Sequence, residues 1–146
     1  MNLFPPSTNA GYHGNAIAPW ALTLLAFLTI VPGGIHAFLP DGGSVVIAGL
    51  DISANPRLII GVFNWLGATQ IAWGLMLLAI SLRYRSLVPL ALFLVFVLTG
   101  INATNQWIIH FEAGSHHPPE MYANIIMLPA LLALLWVSLS PEKPKA

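Results

Sequence analysis

Four stretches of this chain, residues 18–39, 58–82, 87–109 and 122–139, contain no Asp, Glu, Lys or Arg. Each is close to the ~20 apolar residues needed to cross ~30 Å of hydrocarbon as a helix. A charge at the centre of such a segment costs roughly 2.5–3.5 kcal/mol, so four uncharged runs of this length are a strong constraint. Inside lipid the backbone N–H and C=O groups of a lone segment find partners only within a helix. The expected fold is therefore all-α: an integral membrane four-helix bundle forming one domain over residues 1–146. Composition agrees, because only 7% of the residues are charged, against about a quarter in soluble domains. The bilayer is the first partner the sequence implies.

The connections set the expected topology. Residues 82–87 form a tight turn carrying Arg83 and Arg85, so the second and third helices should be an antiparallel hairpin. Residues 40–57 mix Pro, Gly and Asp with an apolar run at 45–50, which suggests a short interfacial element. If all four segments span, Arg83, Arg85, Lys143 and Lys145 share one side and Arg57 lies opposite. The positive-inside rule then puts both termini in the cytoplasm. Trp20, Trp107 and Trp136 fall near helix ends, where interfacial aromatics gather. The first twenty residues hold no Lys or Arg, so the first segment is read as a retained helix rather than a cleaved signal.

Polar side chains recur at one depth. In the third helix Thr99, Asn102, Gln106 and His110 are spaced three, four and four apart, which forms one stripe. His36 lies about 11 Å, Asn64 about 9 Å and Asn124 about 10 Å outward of their helix midpoints. The second helix also gathers Asn64, Gly67, Gln70, Ile71 and Gly74 on one side, where small residues admit a neighbouring backbone. Pro32, Gly33 and Gly34 form an expected break before His36. Two readings stand side by side: interhelical hydrogen bonds of roughly 0.6 kcal/mol each, or an outer-half pocket for a small ligand.

Other chemistry is thinly represented. The chain has no cysteine, which removes disulfide exchange, thiolate zinc sites and iron–sulfur clusters. Net charge is zero with His neutral, so no basic footprint for nucleic acid exists. His110, Glu112, His116, His117 and Glu120 crowd one loop, with Asp41 and Asp51 on the same side, but their spacing presets no zinc geometry. No metal is expected there. His36 and His110 are of the type that ligates a b haem. No nucleophile elbow, phosphate-binding loop or pair of intramembrane carboxylates is present, so no catalytic residue is assigned and the balance leans against an enzyme without settling it.

Leu39-Pro40-Asp41, Gly49-Leu50-Asp51-Ile52-Ser53 and Asn55-Pro56-Arg57 lead into a helix carrying Gly61, Gly67 and Trp73-Gly74-Leu75. Together with His117-Pro118 and Glu120, this pattern resembles an uncharacterised group of small, DoxX-like bacterial membrane proteins over about residues 20–140. The resemblance implies a four-helix membrane bundle of the bacterial inner membrane. DoxX-like relatives include a quinone-linked thiosulfate-oxidising subunit. The chain departs from the pattern at residues 100–105, where an Arg is expected and Gly-Ile-Asn-Ala-Thr-Asn stands. Arg57 is kept, at the outer mouth of the polar layer. The expected function is an accessory subunit, working with a membrane-protein partner or as a homo-oligomer, or a binder of a small apolar or amphipathic ligand. His36, Arg57, Asn64, Asn102, Gln106, His110 and Asn124 would line its site without a cofactor. The alternative is a redox protein handling quinone or haem b.

Overall fold

The computed structural model describes residues 3–114 and 117–141, which form four long helices. His116, Lys143 and Lys145 lie outside the described residues. Helix α1 is Ile17–Phe38, α2 is Pro56–Arg83, α3 is Val88–Thr104 and α4 is Pro119–Leu139. A single-turn π-helix, Asn105–Ile109, continues α3, and a 3₁₀ turn, Arg85–Leu87, precedes it. All four spans are long and apolar enough to cross a membrane.

Prolines explain where three of the helices begin. Pro56, Pro89 and Pro119 each occupy the first or second position of their helix, where a backbone N–H has no intrahelical partner anyway. Pro56 and Pro119 start α2 and α4 slightly ahead of their apolar runs. Glu120 in the first turn of α4 suits the positive end of the helix dipole. Pro32 does not break α1, which runs on through Gly33 and Gly34 to Phe38.

The helices pair as two hairpins, α1 with α2 and α3 with α4, the first pair being the more intimate. Gly67 permits that intimacy. A Cβ there would stand 2.5 Å from the Ala37 nitrogen and 2.6 Å from the Gly33 carbonyl oxygen, so backbone meets backbone, as small residues allow in lipid. One turn pair further on, Gly74 lies under Ile30 and Ala26. Thr23 donates from α1 to Ser81 of α2 at 2.9 Å.

The core joining the hairpins is one-sided. It consists of Ala18, Leu22, Leu25 and Ala26 from α1, Leu77 from α2, Val88, Ala91 and Leu92 from α3, and Leu131 from α4. All lie in the half of the bundle nearest the chain termini, here the terminal half; the opposite half is the distal half. At the terminal end the segment before α1 crosses the end of α2. Thr8 N–H and Ser7 Oγ donate to the Arg83 carbonyl at 3.0 and 2.9 Å, and Asn9 Nδ2 donates to the Leu82 carbonyl at 2.8 Å. Arg83 and the Tyr84 hydroxyl in turn donate to the Pro5 carbonyl. Carbonyls that a helix C-terminus leaves without partners are thereby satisfied. Gly14 also bridges to Pro141, so the segment before α1 and the residues just after α4 meet at this face.

Candidate functional site

In the distal half each hairpin carries its own polar group. On α1 and α2, His36 Nδ1 lies 2.7 Å from the Gly42 carbonyl oxygen. A carbonyl only accepts, so Nδ1 holds a proton in this contact, and in the neutral ring Nε2 is then the acceptor. The His36 ring also meets Phe63 edge-on, with centroids 5.1 Å apart. Asn64 borders the same turn, its Oδ1 lying 3.6 Å from where a Cβ on Gly42 would be. Its side chain is exposed.

The Gly42 turn belongs to a loop organised by Asp41. Its Oδ1 accepts from the Gly43 N–H, and Oδ2 accepts from those of Val45 and Val46. The Val46 and Gly43 bonds hold its carboxyl below the ordinary value of 3.8, against an upward push from desolvation that exceeds the added effect of the Val45 bond but not theirs. These N–H groups favour the charged form. Asp51 is likewise lowered, by the backbone and side chain of Ser53.

On α3 and α4, Asn124 Nδ2 donates to Gln106 Oε1 at 2.9 Å. Trp107 Nε1 donates to the Met121 carbonyl at 2.9 Å. Around Trp107 stand Phe111, His117 and Tyr122, with ring centroids 5.5 to 5.8 Å from the indole. The π-turn fits an extra residue into this end of α3, closed by the His110 N–H on the Asn105 carbonyl at 2.9 Å. Such turns are often found at functional sites. His110 itself is exposed, as is Arg57 in the first turn of α2.

The structure thus brings Gln106 to Asn124, and His36 to the turn bordered by Asn64. Among the described residues no hydrogen bond links these two groups. Asn102, one α-helical turn before Gln106, is only partly buried and makes no side-chain hydrogen bond among the described residues. Thr99 bonds back to the Val95 carbonyl within its own helix.

Gln70 is the residue that sequence reasoning passed over. Its Oε1 is buried and has no donor, while its Cβ lies against Gly33. The signal was present in the sequence, an amide near the middle of a membrane span, but it was absorbed into the glycine face. Among the described residues no three His, Asp or Glu side chains converge as a metal-ligand set.

Fold and polar groups together define a helical, multi-pass membrane protein with a four-helix bundle. Set against known family models, curated proteins and solved structures, the chain matches none.

Proposed function

We propose that this chain is a non-catalytic membrane protein that holds a small amphipathic ligand in the distal half of its bundle, alone or as an accessory subunit. One observation carries the reading. Among the described residues the buried apolar cluster that joins the hairpins lies in the terminal half, while Asn102 in the distal half and the buried Oε1 of Gln70 near mid-span have no hydrogen-bond partner. An amide without a partner in hydrocarbon costs several kcal/mol, and a ligand with a hydroxyl or carbonyl head would offset that cost. Gln70 Oε1 and His36 Nε2 are acceptors, and Asn102 both donates and accepts. Such a set suits a head group that donates at least one hydrogen bond, joined to an apolar body.

The orientation proposed is the one the cations favour. Arg83 and Arg85 lie at the terminal end and Arg57 at the distal end, so the termini are cytoplasmic and the site opens outward. The resemblance to DoxX-like proteins supports a bacterial inner membrane as the proposed setting.

The test is mass spectrometry of lipids carried by protein extracted directly into native nanodiscs. Wild type is expected to retain one species above its level in the surrounding lipid, and Asn102→Leu to lose it. Identical lipid profiles for wild type, variant and bulk membrane would refute the reading. A quinone is the second reading, favoured by the His36 tautomer, whose Nε2 lone pair can accept from a quinol hydroxyl. The same imidazole arrangement suits an axial iron ligand, and a visible absorption scan of the purified protein decides for or against haem b.

A further inference from the structure

The loop between α1 and α2 is built for a medium without water. From Gly42 to Leu50 every backbone N–H has an acceptor inside the loop or its flanks. Gly42 donates to the Leu39 carbonyl, Ser44 to that of Asp41, Ile47 and Ala48 to that of Gly43, Gly49 to that of Val45 and Leu50 to that of Ser44. The remaining donors, Gly43, Val45 and Val46, are taken by the Asp41 carboxylate. An irregular loop in water has no need of so complete a set, because solvent supplies partners. At membrane depth, by contrast, non-helical backbone is tolerated only when its polar groups are satisfied.

The outward side chains agree. Val46 is 80% exposed, Val45 and Ile47 are exposed beside it, and Phe38 at the end of α1 is 82% exposed. Ser44, the polar side chain of the tip, is fully buried and donates to the Asp41 carbonyl. The apolar tip is therefore continuous with the apolar surface of the membrane-spanning helices.

Depth points the same way. Gly42, at φ +62°, packs against the Cβ of Phe63, and Gly43 packs against Ile35. The loop thus folds back alongside the helices instead of projecting past them. Phe63 lies seven residues beyond Pro56, about 10 Å down α2. The 28 residues of α2 give a length of about 42 Å against ~30 Å of hydrocarbon, so a centred α2 projects about 6 Å at each end. That puts the loop about 4 Å inside the boundary.

We propose that residues 42–49 form a re-entrant loop seated in the distal leaflet, with Val45, Val46 and Ile47 in contact with lipid acyl chains. This concerns a different surface from the ligand reading and stands independently of it.

Because the chain has no cysteine, single nitroxide labels can be placed at Val46→Cys and at Ala54→Cys, the second as a reference nearer the α2 start. Collisions with oxygen, which concentrates in lipid, and with a water-soluble nickel chelate are then compared in nanodiscs. Oxygen collisions are expected to dominate at 46 and nickel collisions at 54. Nickel collisions at 46 as frequent as those at 54 would overturn the proposal.

Discussion

Replacing Gly67 with Ala tests whether backbone contact holds α1 to α2. The added methyl would stand 2.5 Å from Ala37 N, 2.6 Å from Gly33 O and 2.9 Å from the His36 carbonyl carbon. None of these atoms can swing aside, as all three are backbone. Ordinary contact starts at 3.4 Å, so the helices must part locally by the difference, about 0.9 Å. A gap of that size forfeits a quarter to a half of each neighbouring dispersion contact, and overpacking of this kind costs ~1–3 kcal/mol. Ala is the better helix former by about 1 kcal/mol in water, which offsets part of the loss. The net expectation is a destabilisation of up to about 2 kcal/mol. Gly61 supplies the control, because a Cβ there meets nothing within 4 Å, and Gly61→Ala should be neutral or slightly stabilising. Reversible unfolding in mixed micelles, followed by far-ultraviolet circular dichroism, measures both variants. Equal stability for the two would refute the claim that Gly67 is a contact point.

Further outcomes follow from the other contacts. In a double-mutant cycle, Gln106→Leu and Asn124→Leu should couple by about 0.6 kcal/mol, and no more than ~1.7, as intramembrane hydrogen bonds do; additive effects would argue against the bond. Cysteines at Ser86 and Ala54 should react from opposite sides with an impermeant maleimide, Ala54 in intact cells and Ser86 only after lysis, and the reverse order would invert the orientation. Asp41 has its carboxyl lowered below 3.8 in the folded chain. The stability it contributes is therefore fully present above the unfolded value and is lost as pH falls through the lower, folded one. Protection of the Val45 and Val46 amides from hydrogen exchange, taken relative to their intrinsic rates, should hold above the unfolded value of 3.8 and be lost as pH falls through the lower, folded one; in Asp41→Asn it should be weak already at neutral pH.

The helices were legible because lipid leaves so little choice: uncharged runs of this length admit one secondary structure. Gly67 and Gly74 were legible too, since a face of small residues reads the same way in sequence and in space. Gln106 and Asn124 shared a depth with His36, Asn64 and Asn102, but depth did not show which of these would pair. What stayed hidden depended on contacts between distant positions or on backbone geometry. The apolar run at 45–50 hinted at an interfacial element, but nothing in the sequence showed that Asp41 turns its carboxylate onto three N–H groups. The π-turn at Asn105–Ile109 has no periodic signature, because it is a single turn. Pro32 suggested a break, and the packing of α1 on α2 carries the helix through it.

The segment that crosses the end of α2 has a consequence for the order of assembly. Ser7 bonds to a residue 76 positions later, and Pro5 accepts from the hydroxyl of one 79 positions later. During synthesis these residues emerge before their partners, which do not exist until two helices have been made. Ser7, Thr8 and Asn9 must therefore wait, with their hydrogen-bonding groups in water, until the first hairpin is in place. Their docking is then the closing event for that hairpin. It gives this small chain a natural reporter: protease resistance near residue 8 should be gained only after Tyr84 has been synthesised and inserted.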